Sequence, residues 1–197
     1  DLHSFPTRRS SDLWQMTFAE LLDEVGPDAT RYLMLSRSSD QPIDFDIEAA
    51  KKQDSSNPVY YVQYAHARIC SILRKAADDD MRAALEAGTC TLADLAARTV
   101  GDNVDLSPLS HESELALMRK MDDFTELVEL AARDRAPFRL THYAQDLAAL
   151  FHQFYTNCRI IGEEEALQHA RLALADATRI VLALALGLLG VSAPERM

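Results

Sequence analysis

The sequence predicts an all-α fold, a helical bundle of amphipathic segments. Three features of its 197 residues point there. Apolar residues recur at steps of three or four through four long segments, the period of a helix with one buried face. Glycine and proline are scarce, six and seven in the whole chain, and fall mostly between those segments. Hydrophobic residues make up 48%, enough to close a sizeable core in one or two domains and too many for a disordered chain.

In chain order, "TFAELLDEVG" opens on Thr17, a capping residue, and closes on Gly26, suited to a left-handed stop. Pro27 starts the next helix, "PDATRYLMLS", with apolar residues at 29, 32, 33 and 35. "RSSDQPIDFD" is a turn-rich connector ending in the alternating Ile43-Asp44-Phe45-Asp46. "IEAAKKQ" begins a short helix, and "DSSNP" punctuates it. The first long pattern runs from Pro58 to Ala77. A less regular stretch, Asp78 to Pro108, holds short helical pieces such as "TLADLAAR". The second long pattern, His111 to Asp134, aligns Leu117, Met121, Phe124, Val128 and Ala131 on one face. Pro137 introduces the third, with Leu140, Tyr143, Leu147, Leu150, Phe154, Cys158 and Ile161 in phase. The fourth opens on Glu163, Glu164 and Glu165, which favour a helix N-terminus, and repeats apolar residues at 167, 170, 174, 177, 181, 184 and 188.

Charge and cysteine usage narrow the function. A formal net charge of −11 argues against broad nonspecific binding to nucleic acid, while leaving room for a local basic patch. Cys70, Cys90 and Cys158 form no CxxC pair and no metal spacing; an odd, sparse set fits a reducing compartment better than a disulfide framework. The longest apolar run, Val181 to Val191, is well short of the ~20 residues a membrane span needs. No Glu-x-x-His occurs, which argues against a metal-carboxylate bundle. Asp44 and Asp46 read as solvated turn acids rather than an acid–base pair. His66 has no nucleophile or carboxylate at a recognisable spacing and reads as a hydrogen-bonded boundary histidine rather than a base. His142 and His152 are ten positions apart, which is not a chelating step on a helix.

Helical phasing organises the first long segment, "NPVYYVQYAHARICSILRKA". Val62, Ala65, Ile69, Ile72 and Ala76 form its core stripe. Tyr61, Tyr64, Arg68 and Lys75 lie one residue back, about 100° round the helix. On the third segment Phe151, Tyr155 and Arg159 form a similar ridge, spaced by four. Such ridges are commonly boundary tyrosines beside snorkelling basic stems. Rings next to cations also suit unstacked nucleobases, the ring taking a base face and the arginine a phosphate or base edge. From the residues alone, a helical docking module with no role in RNA binding fits as well.

The segment "NPVYYVQYAHARICSILRKA", preceded by "VGPDATRYLMLSRSSDQPIDFDIEAAKKQ", resembles the end of the catalytic body and the start of the anticodon-binding domain of arginyl-tRNA synthetases. "LTHYAQDLAALFHQFYTNCRIIG" and "ARLALADATRIVLALALGLLGVSAPERM" resemble the remainder of that domain, so the likeness covers residues 17 to 197. It implies the helical anticodon-binding domain of a class Ia aminoacyl-tRNA synthetase, at residues 57–197, with residues 14–56 a remnant of the catalytic body. It further implies a parent enzyme that joins arginine to its tRNA through an arginyl-adenylate, consuming ATP with magnesium, as a cytoplasmic monomer with no membrane partner. By the same resemblance Tyr61, Tyr64, Arg68 and Tyr155 face the tRNA anticodon loop, and Met197 presents a carboxylate as an acceptor there. Arg159 falls where some relatives carry an aromatic residue; a guanidinium also stacks on a base. The HIGH-type and KMSK-type signatures of a class I active site do not occur, so the chain is expected to hold no catalytic residue, metal or cofactor. Residues 3–13, "HSFPTRRSSDL", resemble the translation of a sequencing-adapter oligonucleotide, which makes 1–13 a non-native leader; the alternative is a disordered basic tail.

Overall fold

A computed structural model describes residues 17–38, 40–42, 46–101 and 103–197. Ten helices and no strand occur among the described residues. The leader at 1–13 and the Ile43-Asp44-Phe45 part of the alternating stretch lie outside them.

The first three helices are short and closed by local chemistry. In α1 (Phe18–Val25) a capping box joins Thr17 and Glu20: the Thr17 N–H donates to the Glu20 carboxylate at 2.7 Å, and the Glu20 N–H to the Thr17 hydroxyl at 3.3 Å. Gly26, with φ +82° and ψ 162°, ends α1 and at once caps α2 (Pro27–Leu35), a backbone conformation that a side chain would strain. Asp46 accepts from the Ala49 N–H at 2.9 Å and so starts α3 (Ile47–Lys51). Buried Asn57 then fixes the entry to α4 (Pro58–Ala76). Its amide donates to the carbonyls of Ala50 and Lys52 at 2.8 and 2.9 Å, while its oxygen caps the new helix.

The remaining helices are α5 (Asp79–Glu86), α6 (Leu92–Val100), α7 (Glu112–Asp122), α8 (Phe124–Arg133), α9 (Phe138–Asn157) and α10 (Glu165–Leu188). α4, α9 and α10 pack on one another, α7 joins them against α9 and α10, and α6 packs on α4 and α10. Their shared core includes Val62, Ile69 and Leu73 of α4, Leu147, Phe151 and Phe154 of α9, and Leu172, Leu182 and Leu186 of α10. Burying each of these Leu or Phe side chains contributes roughly 1.5–3 kcal/mol. Fully buried Ala65, Ala144, Ala148, Ala175 and Ala185 let the backbones approach closely. Because α4 meets α2, α6, α9 and α10, it buries Val59, Gln63, His66 and Cys70 beside the predicted stripe.

Three sequence expectations need correction. The segment from His111 to Asp134 is two helices, broken at Asp123. The break places an acid at the start of α8, where the helix dipole favours it, instead of mid-helix. Asp123 stays right-handed, φ −65° and ψ −14°, so the apolar period runs through the break without showing it. The second correction concerns α10, whose buried stripe passes through Ala170, Leu174, Thr178, Leu182 and Ala185, while Leu184 and Leu188 are 52% and 56% exposed. Its second half, Ile180 to Leu188, is apolar all round, so the period leaves the phase open there. Thr178 belongs to the core because its hydroxyl donates to the Leu174 carbonyl at 2.8 Å. The third is Phe151, which is fully buried and belongs to the core, not to a surface ridge.

One buried charge ties α7 to α10. Glu114 is 1% exposed, and its carboxylate accepts from the N–H groups of Ser110 and His111 at 2.9 and 2.8 Å. Nε of Arg171 donates to its other oxygen at 2.7 Å. The three cysteines are free, and burial pushes the Cys70 thiol up to about 11, away from thiolate chemistry. No helix among the described residues is long and apolar enough to cross a membrane.

Candidate nucleic-acid interface

The edge stripe of α4 meets α9 along a row of rings. Tyr60 and Tyr64 stack with centroids 6.1 Å apart and planes within 11°. His152 of α9 continues the row, 5.9 Å from Tyr64 and 4.9 Å from Tyr61. Burial, reinforced by the charge of Arg68, holds the His152 imidazole below the usual histidine range, and its buried Nε2 has no hydrogen-bond partner. Tyr155, one turn further along α9, is 37% exposed, as Tyr64 is at 36%.

Arg68 bridges the two helices. Its guanidinium carbon lies 4.3 Å from the Tyr155 ring centroid and 5.6 Å from that of Tyr64, and Nη1 donates to the Tyr64 hydroxyl. Its Nε is buried without a partner. Aromatic faces, and not a carboxylate, hold this cation, so its charge stays available.

Tyr64, Arg68 and Tyr155 line a cleft of about 710 Å³. Arg74, Lys75, Arg82 and Arg196 add positive charge around it, and Met197 closes one side. Arg74 pairs with Glu195 at 3.0 Å and Arg82 with Asp79. Arg68, Lys75 and Arg196 have no carboxylate within 4.0 Å among the described residues. On a chain of net charge −11, this is the local basic patch that overall charge alone left open.

The wall carrying Arg196 and Met197 is the segment after α10. Gln63 donates to the Ser192 carbonyl at 3.0 Å, and Asp28 accepts from the Ser192 N–H at 3.2 Å. Nδ1 of His66 lies 2.9 Å from the Pro194 carbonyl oxygen, which only accepts, so Nδ1 carries the proton. Burial pushes the His66 pKa down. His66 is thus hydrogen-bonded as expected, but at 3% exposure it lies inside the fold and not at its boundary.

The structure gathers Tyr64, Arg68, Tyr155 and Met197 in one cleft. Tyr61 stands apart from it, half-buried against His152, its phenol pKa raised by burial. Arg159 lies beyond the end of α9, where its Nε donates to the Ile161 carbonyl at 2.9 Å. Its guanidinium covers Gly162, where an added Cβ would come within 2.7 Å. It borders an adjoining cleft of about 470 Å³ that shares Lys75 and Tyr155 with the first. Sequence reading missed His152, Arg74, Arg82 and Arg196. His152 was within reach, since it lies three residues before Tyr155 on the same face. Arg74 was within reach too, being on α4 with Arg68, whereas Arg82 and Arg196 join them only through tertiary packing. Among the described residues no three His, Cys, Asp or Glu side chains gather to hold a metal ion.

Comparison with known proteins follows the same lines. Residues 62–197 match the model of the DALR anticodon binding domain. An arginine–tRNA ligase of Heliobacterium modesticaldum is 50% identical over 182 residues, which are 92% of this chain and 30% of that protein. One from Symbiobacterium thermophilum is 48% identical over the same shares. The chain therefore spans under a third of the length of the curated relatives it matches. Among solved structures, Thermus thermophilus arginyl-tRNA synthetase superposes with a TM-score of 0.68 at 33% identity, covering 88% of this chain and 27% of that one.

Proposed function

Because the chain belongs to the DALR anticodon binding domain family, we propose that it is the anticodon-recognising part of an arginine–tRNA ligase. The cleft between α4 and α9 takes the anticodon loop of the arginine tRNA. The observation that carries this reading is Arg68, a cation held on two phenol rings from two helices with no carboxylate against it. Unstacked loop bases would lie on Tyr64 and Tyr155, and the surrounding guanidinium and ammonium groups would take the phosphates. Tyr61 supports the ring row through His152, and Arg159 meets RNA from the adjoining cleft. Met197 supplies an acceptor at the cleft's far wall. A docking module without RNA binding is not favoured, because the family match and the cation-lined cleft coincide.

In this reading residues 57–197 are the anticodon-binding domain, residues 14–56 belong to the end of the catalytic body, and 1–13 are a non-native leader. The parent enzyme is a cytoplasmic monomer that uses arginine, ATP and magnesium. The 197-residue chain alone forms no arginyl-adenylate, and measurable ATP–pyrophosphate exchange by the purified chain would overturn that statement.

Titration with labelled arginine tRNA tests the central reading. Binding should weaken steeply with salt, and Tyr64→Ala or Tyr155→Ala should each cost ~1–3 kcal/mol, roughly 5- to 150-fold. Absence of binding at low salt, or equal affinity of wild type and Tyr64→Ala, would sink it.

A further inference from the structure

The segment after α10 has no helical hydrogen bonding of its own from Ser192 onward, yet its carbonyls are systematically taken. Arg31 of α2 donates to the Gly190 carbonyl at 2.6 Å. Three side chains of α4 then follow: Gln63 on Ser192, His66 on Pro194, and Arg74 on Glu195 at 2.9 Å. These bonds go to main chain, so they fix the register of the segment whatever side chains it carries. Of the three α4 donors, His66 is the one with no substitute. Arg74 also reaches the Glu195 carboxylate, and Gln63 shares its amide among Asp28 and both oxygens of Ser192. The Pro194 carbonyl has only the buried Nδ1 of His66 among the described residues.

We propose that His66 is a positioning residue for the RNA cleft: with Gln63 it holds residues 192–194 so that Arg196 and Met197 stand beside Arg68. This rests on the nucleic-acid reading of the cleft. His66 touches no RNA itself; it acts through the wall it holds. The charged groups around its ring are Arg74 on α4, Arg179 on α10 and Glu195 on the segment itself, with the Cys70 sulfur 3.7 Å from Nδ1. A charged ring would keep its Nδ1 donor, so the placement depends on the hydrogen bond and not on charge.

The test pairs His66→Leu, which removes the donor, with His66→Asn, whose amide N–H replaces Nδ1–H. Each is combined with deletion of residues 196–197, and binding of the anticodon stem-loop RNA of arginine tRNA is measured. His66→Leu should weaken binding roughly three- to tenfold, the scale of one hydrogen bond, and His66→Asn should restore it. Deleting 196–197 should weaken wild type but add nothing in the His66→Leu background. An equal cost of deletion in both backgrounds overturns the proposal. The rate at which carboxypeptidase releases Met197 and Arg196 gives a readout without RNA. Faster release from His66→Leu than from wild type and His66→Asn supports the proposal, and equal rates overturn it, even if wild type binds no RNA and the nucleic-acid reading itself falls. Should His66→Leu not fold, Gln63→Met removes the neighbouring donor and carries the same cycle.

Discussion

Two arginines each join a pair of helices in this chain, and they do so in opposite ways. Arg171 connects α10 to α7 through a carboxylate that is itself fully satisfied, and its Nη1 donates to the Arg159 carbonyl at 2.7 Å. Arg68 connects α4 to α9 through phenol rings and leaves its Nε without a partner. The first is a charge met by carboxylates at 11% side-chain exposure, with Glu163 a second one 3.8 Å from Nη1. The second is braced but not neutralised. Two cations of the same type thus separate into a structural tie and, in the proposed function, a binding group by what lies against them, which residue type alone does not reveal.

That contrast can be broken from either side, the largest effect coming from the Arg171 tie. Glu114→Ala leaves Arg171 buried without its partner and should cost about 3–5 kcal/mol of stability, read from denaturant unfolding. If the loss were under about 1 kcal/mol, the scale of an exposed pair, the tie would not be structural. Arg68→Ala should leave unfolding nearly unchanged while lowering RNA affinity by ~1.5–3 kcal/mol, the worth of hydrogen bonds to a charged group. A large stability loss with unchanged affinity would reverse the assignment.

Acidification sharpens the same comparison at a smaller scale. His66 and His152 both have pKa values held below the usual histidine range by burial. The unfolded chain therefore takes up protons first as pH falls. The stability these rings contribute is complete above the ordinary histidine pKa and declines as pH drops through it toward the folded values. Melting temperature should fall between pH 7.5 and 5.5, and His152→Asn should flatten that fall; an unchanged slope would remove His152 from the account. Smallest of all, Arg159→Ala should shift stability by no more than about 0.5 kcal/mol, since its guanidinium bonds one loop carbonyl at the surface. A larger loss would make the Arg159 side chain, and not only its carbonyl, part of the structural tie.

The bundle was legible in the sequence wherever one face of a helix is apolar and the other is not. In α4 the core stripe and the Tyr61–Tyr64–Arg68 edge fall where the 3.6-residue period puts them. In α10 the same rule fails, because apolar residues surround its second half and the true stripe runs through a threonine. The site was legible in part for the same reason. Residues that share a helix face, Tyr64 with Arg68, are visible as spacing. Arg159 shows the limit: counting by four places it in line with Tyr155, but α9 ends at Asn157 and the chain turns it elsewhere. Arg196 reaches the cleft only because the segment after α10 is laid along α4, a contact between distant parts of the chain that no local period encodes.

The fastening of that segment also sets an order of events in folding. Its bonds to α2 join residues 159 and 164 positions apart, whereas packing between adjacent helices closes much shorter loops. Closing a loop costs entropy that grows with its length, so local helix pairs form early and this closure comes late. The wall of the cleft should accordingly lock after the helices it lies on, and its amides should exchange well before those of the α4–α9 core.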